Sequence, residues 1–291
     1  MKFMVKRNEK YLFVFLICFL IMLFGLVRTQ NIVEILKRAL FENGYKENFF
    51  LYQEDSALKQ TTPTIINIIK HVFSHAVYSF DSTIIFSTEW FQIIIPLFSI
   101  ICGIDFFNYY HSLFQMEVCK SNSYKLFIFK QLCIRCIKLS GSIFLSYFLF
   151  IIVVYNISSL AQLGADNRTL FADLLSNQFY VNHTFLYFVL EGSVRFFLIP
   201  FVYAFFCQSF VLLKKGLKEV IAAPIAYYYG LSAIGYATMT LFSYASLYLN
   251  PSILMANGSY DSFNSILIIV MNMIPLYIAI GIIWRLNDDR V

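Results

Sequence analysis

Residues 11–27 read YLFVFLICFLIMLFGLV, seventeen consecutive residues without a charge. A transmembrane helix needs about 20 predominantly apolar residues to cross the hydrocarbon core of a bilayer, and this stretch comes close to that length. Five further apolar stretches follow it along the chain. The six predicted spans cover residues 11–27, 91–110, 139–160, 196–213, 220–244 and 262–284. The chain is therefore predicted to be an all-α, polytopic membrane protein with a single transmembrane domain.

The composition argues against a soluble fold and against nucleic-acid binding. Of the 291 residues, 59% are hydrophobic, 13% are charged and 33 are phenylalanine, which is far more apolar than a soluble core requires. The net charge is +5, but the basic residues lie beside the apolar stretches, as in the flanks of membrane helices, and form no dense cluster. We therefore expect the chain to contact a lipid membrane and to bind no nucleic acid.

The charges between the spans predict an orientation. The N-terminus, the connection 105–138 and the turn after the fourth span together carry +8, whereas the opposite connections carry −3. Cytoplasmic loops hold the excess of lysine and arginine, so both termini are expected in the cytoplasm of a cell membrane. The basic N-terminus is also typical of a secretory signal peptide, but no small-residue cleavage site follows residue 27, which favours a retained first span.

Residues 28–89 form the largest segment between two spans and are expected to be helical and outside the membrane. Apolar residues at helical spacing predict a first helix that ends near Asn43-Gly44, and Thr62-Pro63 is a typical start for a second. His71 and His75 stand four apart on that second helix, the spacing of a metal-binding pair. With no intervening Glu and no identifiable third ligand, we expect solvated or packed histidines and no metal site.

Cysteine chemistry is not indicated. Most of the six cysteines fall in or beside apolar segments, so a disulfide framework is not expected. Cys133 and Cys136 form a C-x-x-C motif that could be redox-active or half of a zinc site, but no second Cys or His pair stands near it. We interpret the two residues as small apolar side chains at the start of a helix.

Glu191 and Arg195 interrupt an apolar stretch of 30 residues, 184–213. This is too long for one perpendicular span, so we expect the span to begin at residue 196 and residues 182–195 to form an amphipathic elbow on the outer surface. The pair would then be a surface contact worth about 0.5 kcal/mol. The alternative is a charge pair inside the bilayer that lines a pathway.

The inner connection 111–138 mixes aromatic, acidic and basic residues. We expect a short helix at 112–120 to break at Ser121-Asn122-Ser123, whose side chains compete for backbone hydrogen bonds. The next helix would begin near Tyr124 and continue into the third span. Its basic residues share no single helical stripe, so a solvated basic loop explains them as well as a docking surface does. These residues are Lys125, Lys130, Arg135 and Lys138.

In its order of segments, the chain resembles the permease subunit of a type-2 ATP-binding-cassette exporter. The shared features are an inside N-terminus, one span, a sizeable outer segment, a second span, a short cytoplasmic helix with an acidic residue, and four more spans. The outer break near Asn250-Pro251 is similar to the family's re-entrant segment, whereas the family's Gly-Thr and Leu-Pro…Ser-Arg motifs are missing. The resemblance implies that a coupling helix contacts a separate ATPase subunit. The implied contact residues are Phe114, Glu117, Lys120, Tyr124, Lys125 and Lys130.

The resemblance also implies that the chain works with partners. No G-x-x-x-x-G-K-[ST] motif occurs in it, so a partner ATPase would hydrolyse ATP, and the chain itself would bind no cofactor. A second permease copy or a paralogue is expected, with the cargo path between the two. The scarcity of charges in the spans favours an amphipathic or hydrophobic cargo, such as a peptide, an antimicrobial or a lipid-like molecule.

Two functions from other classes are the alternatives. An integral membrane enzyme would need ionisable or nucleophilic residues that converge at membrane depth, and we identify no such catalytic set in the sequence. A channel or a passive assembly protein requires no recognisable motif, so this alternative stays open.

Overall fold

The computed structural model describes residues 2–29, 80–112, 114, 117, 123–157, 171, 173–213, 216–242, 248, 250–253 and 264–285. Most of these residues are helical and none of them lies in a strand. The helix expected to end near Asn43-Gly44 and the one expected to begin at Thr62-Pro63, with His71 and His75, lie outside the described residues. So does most of the expected inner helix at 112–120.

Within the described residues, six helical segments are long and apolar enough to cross a membrane. This agrees with the all-α, multi-pass class that the apolar stretches predict. The segments, called spans 1 to 6 below, are Glu9–Arg28, Phe91–Tyr110, Tyr124–Asn156, Thr184–Leu213, Leu217–Thr238 and Ser265–Trp284.

The helices continue beyond several of these spans. They are α1 (Lys2–Thr29), α2 (Phe80–Thr88), α3 (Phe91–Tyr110), α4 (Tyr124–Ile157), α5 (Asn177–Asn182), α6 (Thr184–Gly192), α7 (Ile199–Ser209), α8 (Leu217–Phe242), α9 (Ser265–Asn272) and α10 (Ile274–Trp284). Helix α4 begins at the residue that the Ser-Asn-Ser break predicted. Span 6 is divided at Met273, next to Pro275 in the first turn of α10.

Consecutive spans run in opposite directions, which gives the bundle two ends. At the Lys10 end, Lys10 of span 1 contacts Asp105, near the close of span 2. At the Trp90 end, Arg28 of span 1 lies over the ring of Trp90, just before span 2 begins. Lys10 and Arg28 are 18 residues apart, about 27 Å along a helix at 1.5 Å per residue. This length is close to the roughly 30 Å hydrocarbon core of a bilayer.

Span 4 is the centre of the bundle. Of its most apolar stretch, 72% is buried, against 28% for spans 5 and 6, and it packs against spans 2, 3 and 6. Where it approaches span 2, a Cβ atom added to Gly103 would lie 2.5 Å from Cys207 Sγ. Small residues at a helix crossing let two backbones come close in a membrane, so glycine at position 103 permits this contact.

One turn of span 4 is wound differently from the rest. Residues Ser193–Leu198 form a π-helical turn between α6 and α7, and Pro200 stands at the start of α7. Proline has no amide hydrogen to donate to the carbonyl four residues earlier, here that of Phe196. The helix accommodates this with a π turn and continues through residue 196, where we had expected a new span to begin.

The connections at the Trp90 end are held by polar side chains. The Asp173 carboxylate accepts hydrogen bonds from the backbone amide of Ser265, at 2.9 Å, and from its hydroxyl, at the first turn of α9. Asn250 is fully buried and lies against Gly235 of α8, and its Oδ1 accepts from the amide of Ser252 at 3.0 Å. The described part of the segment after span 5 therefore turns back onto that span.

Candidate functional site

An ionic cluster joins spans 1, 2 and 3 at the Lys10 end. The Asp105 carboxylate of span 2 forms an ion pair with the Lys10 ammonium, and Arg135 Nε lies 3.3 Å from its Oδ2. The Tyr11 hydroxyl donates to the same oxygen at 3.4 Å. The Asp105 side chain is 17% exposed, so it stays close to water while contacting two cations. One carboxylate thus links three spans.

Arg135 is the most deeply buried charge of this cluster, with 2% of its surface exposed. Its guanidinium carbon lies 4.3 Å from the ring centroid of Tyr109 and 5.3 Å from that of Phe106. Its Nη1 also donates to the backbone oxygen of Gln131 at 2.8 Å. A buried charge is tolerated only when it is paired and hydrogen-bonded, and cation–π contact adds to this.

The burial of Arg135 is inconsistent with a solvated basic loop, which was one of the two interpretations of these basic residues. The sequence carried a signal for it: the residues of α4 that are buried recur at one helical face, and Arg135 lies on that face. They include Ile128, Leu132, Arg135, Cys136 and Leu139. Lys130 and Lys138 lie off this face and are exposed. The charge of Arg135 suggested an exposed residue, whereas its position on the apolar face of α4 predicts a buried one.

Phe114 anchors the expected coupling loop to the bundle. It is 4% exposed, and its ring packs 4.8 Å from the ring centroid of Tyr110 and within 6.4 Å of four more aromatic rings. Those rings belong to Phe106, Tyr109, Tyr124 and Phe127. The Phe114 ring is buried among rings of its own chain, which gives this residue an anchoring position in the loop.

The other implied contact residues are more accessible. Glu117 and Lys130 are exposed, and Tyr124 and Lys125 are half-buried; Lys120 lies outside the described residues. The Tyr109 hydroxyl donates a hydrogen bond to Glu117 Oε2. Tyr109 therefore touches the exposed carboxylate of the loop with its hydroxyl and the buried Arg135 with its ring.

Glu191 and Arg195 form a buried ion pair, which corrects the surface elbow that we expected. Glu191 is 1% and Arg195 4% exposed, and Arg195 Nη2 lies 2.9 Å from Glu191 Oε1. The length argument failed because α6, the π turn and α7 are continuous, so the pair lies within one 30-residue helix. Arg195 itself belongs to the π turn.

Tyr147 of span 3 packs against span 4 around the Glu191–Arg195 pair. The Tyr147 hydroxyl donates to the backbone oxygen of Phe188 at 3.0 Å, and its ring stacks on Phe196 with centroids 4.2 Å apart. Gly192, between the two charged residues, leaves room for the Tyr147 ring. Phe196 also packs edge-on against Phe91, the first residue of span 2. The pair therefore lies near the level at which span 2 begins.

A second buried carboxylate lies at the Trp90 end. Asp81 of α2 is fully buried, and its Oδ2 accepts a hydrogen bond from the Tyr180 hydroxyl at 2.7 Å. In the sequence, Asp81 is one of the charges of the outer segment 28–89. Its neighbours come from α5, a short helix about a hundred residues later in the chain, and no local pattern in the sequence connects the two.

The described residues hold no set of three His, Cys, Asp or Glu side chains that could bind a metal ion. Cys133 and Cys136 of the C-x-x-C motif are both free thiols, and Cys136 Sγ accepts a hydrogen bond from Gln208 at 2.9 Å. The arrangement joins span 3 to span 4.

Comparisons with known proteins give no external guide to function. The chain matches no protein-family model, no curated protein and no solved structure.

Proposed function

We propose that the chain is the membrane-spanning permease subunit of an ATP-driven exporter that moves an amphipathic or hydrophobic cargo. A separate ATPase subunit of the ATP-binding-cassette type would bind it, and a second copy or a paralogue would complete the cargo path. The proposal draws its support from one observation: the loop that carries Glu117 is joined to the same end of the bundle at which Asp105 ties three spans together.

The contacts from loop to spans are direct. Glu117 accepts a hydrogen bond from Tyr109, at the end of span 2. The Tyr109 ring faces the Arg135 guanidinium of span 3, and Arg135 pairs with Asp105, which in turn pairs with Lys10 of span 1. A displacement of the loop by a partner would reach spans 1, 2 and 3 through these contacts. Coupling requires such an element, whose position one site can bias and another can respond to.

The accessible charges of the loop suit a protein partner better than a membrane surface. Glu117 and Lys130 are exposed and of opposite sign, so the surface offers a mixed pattern to a partner of complementary charge. An anionic bilayer surface would favour basic residues alone. In this arrangement Phe114 holds the loop in place while the charged residues make the contact.

The proposed orientation places the Lys10 end in the cytoplasm of a cell membrane, with both termini on that side. Support comes from the excess of basic residues on the connections at this end. A reporter that is active only in the cytoplasm, fused to the C-terminus, should therefore be active. Activity of a C-terminal reporter on the opposite side alone would contradict this orientation and remove the loop from reach of an ATPase.

Co-purification tests the function itself. The tagged chain, extracted in a mild non-ionic detergent, should bring down an ATPase subunit in near-equal amount, with ATPase activity in the complex. Glu117→Arg reverses the charge of the loop and should abolish that activity without lowering the amount of membrane-inserted chain. Glu219→Arg is the matched control, because Glu219 is an exposed carboxylate at the same end, and it should leave the activity unchanged.

The variant Tyr109→Phe separates the two roles of the loop. It removes the hydroxyl that donates to Glu117 but keeps every charge, so the ATPase should still bind while cargo no longer alters its activity. A complex in which Glu117→Arg behaves like the parent would show that the ATPase docks elsewhere. A tagged chain that never retains an ATPase would overturn the proposal.

A further inference from the structure

A cleft of about 450 Å³ with both polar and apolar lining opens at the Trp90 end between spans 1 and 2. Its volume lies in the range of small-ligand sites. Its lining among the described residues is formed by Arg28, Glu89, Trp90, Gln92 and Ile93. These five residues are called the interfacial cleft below.

The residues of the interfacial cleft are positioned by helix ends. Glu89 and Trp90 form the turn between α2 and α3. The backbone amide of Gln92 donates to the carbonyl oxygen of Glu89 at 3.3 Å, and that of Ile93 donates to the carbonyl oxygen of Trp90 at 3.1 Å. Arg28 lies in the last turn of α1, with its guanidinium carbon 5.4 Å from the centroid of a Trp90 ring. Arg28, Glu89 and Trp90 thus each lie in a helix or in a hydrogen-bonded turn.

Span 5 holds the start of span 2 from the other side. The hydroxyls of Tyr228 and Tyr229 donate to the backbone oxygens of Gln92 and Ile93. These two hydrogen bonds connect the cleft to the bundle interior, since Tyr228 is buried. The cleft is therefore a built part of the fold and lies where three spans meet.

The described lining of the cleft presents one charge of each sign with an aromatic ring beside them. Arg28 and Glu89 are both exposed, and within the described part of the chain neither forms an ion pair. A guanidinium binds phosphate oxygens through paired hydrogen bonds. A carboxylate attracts an ammonium group, and an indole ring adds cation–π attraction. The three groups together complement a molecule that carries a phosphate and an ammonium.

The position of the cleft identifies the source of such a molecule. Span 1 ends at Arg28 and span 2 begins at Phe91, so the cleft lies at the level where the headgroups of a surrounding bilayer would lie. Tryptophan is enriched at this level in membrane proteins. Ile93, which is 46% exposed, extends the cleft with an apolar surface toward the acyl region.

We propose that the interfacial cleft binds the headgroup of a zwitterionic phospholipid of the phosphatidylethanolamine type. The phosphate lies on Arg28, and the ammonium lies on Glu89 and the Trp90 ring. The site goes beyond the proposed exporter function and does not depend on it, because none of its residues belongs to the Glu117 loop at the opposite end of the bundle.

Fluorescence of Trp90 tests the site directly. The chain has two tryptophans, and Trp284→Phe removes the other, which is exposed at the far end. The full chain in a maltoside detergent is titrated with dihexanoyl-phosphatidylethanolamine, kept below its micelle concentration. We expect a saturable change in Trp90 emission. Dihexanoyl-phosphatidylglycerol, which has the phosphate but no ammonium, should bind more weakly.

Two variants test which side chain binds the phosphate and which binds the ammonium. Arg28→Gln should weaken binding of both lipids about tenfold or more, the loss expected when a hydrogen bond to a charged group is removed. Glu89→Gln should weaken binding of the ethanolamine lipid but not of the glycerol lipid, because only the former offers an ammonium. Arg285→Gln is the matched control, because Arg285 is an exposed arginine at the opposite end of the bundle, and it should leave binding unchanged.

Three outcomes would overturn the proposal. An emission change that never saturates would indicate simple partition of the lipid into the detergent. Saturation that is unaffected in Arg28→Gln and Glu89→Gln would place the lipid elsewhere. Inorganic phosphate that gives the same saturable change at the same concentration would make the cleft a site for free anions. Elution of each variant at the parent's volume in size-exclusion chromatography verifies that the two exposed substitutions leave the fold intact.

Discussion

The Arg135 guanidinium and the Asp105 carboxylate face each other across the contact between spans 3 and 2, with Nε 3.3 Å from Oδ2. Arg135 is closed off from solvent, whereas Asp105 keeps partial access. The pair therefore joins two membrane helices through the Arg135 charge, which water can hardly reach. This asymmetry makes the two residues unequal under substitution.

Arg135→Met should destabilise the chain by about 1–3 kcal/mol, because Asp105 loses a charged hydrogen-bond partner but keeps its ion pair with Lys10. The double variant Arg135→Met/Asp105→Asn should recover part of this loss, because it leaves no partly buried carboxylate without its arginine, although Lys10 loses its ion-pair partner. Lys130→Met, an exposed change on the same helix, is the control. Thermal unfolding followed by the folded fraction in size-exclusion chromatography measures all three. A double variant no better than Arg135→Met would contradict this pairing.

Glu191→Ala should lower stability by about 3–5 kcal/mol, since Arg195 would keep its charge in a buried site with its ion-pair partner removed. A surface pair would lose only about 0.5 kcal/mol, so the measurement distinguishes the observed burial from the elbow expected from the sequence. Glu219→Ala removes an exposed carboxylate and serves as the control. Equal melting temperatures for the two variants would show that Glu191 is hydrated.

Gly103→Ala should destabilise the contact between spans 2 and 4 by about 1–3 kcal/mol through overpacking. The added methyl group would lie 2.5 Å from Cys207 Sγ, whereas Gly141 has no neighbouring heavy atom within 4 Å of such a group. Gly141→Ala is therefore a matched control and should be tolerated. Adding Cys207→Ala to Gly103→Ala should restore part of the loss, and failure to do so would place the clash elsewhere.

Tyr147→Phe and Tyr203→Phe make a second matched pair, in which only one hydroxyl is hydrogen-bonded. The Tyr147 hydroxyl donates to Phe188, so its removal should lower stability by about 1 kcal/mol. The Tyr203 hydroxyl is buried with no hydrogen-bond partner among the described residues, so its removal should leave stability unchanged or slightly higher. Thermal unfolding of both variants gives the comparison. A larger loss for Tyr203→Phe would mean that its hydroxyl has a partner in the folded chain.

Local patterns predicted the helical class and several helix limits correctly. The start of α4 at Tyr124 followed from the serines and asparagine before it, and span 2 at Phe91–Tyr110 from its apolar composition. The predicted start of span 4 was wrong by twelve residues, because the 30-residue stretch was judged too long for one span and the charged pair was assigned to an elbow before it. The continuity of span 4 depends on the π turn before Pro200 and on the packing of the Tyr147 ring against Phe196.

The sequence by itself determined that this is a multi-pass helical membrane protein, and it located the loop that carries Glu117. Apolar length is a local property of the chain, and a bilayer demands it of each span separately. Only the tertiary structure decided that Arg135 and the pair Glu191–Arg195 are buried, whereas Lys130 on the same helix as Arg135 is exposed. Burial of a charge depends on how each helix is rotated toward its neighbours, and that rotation is set by contacts between residues far apart in the chain.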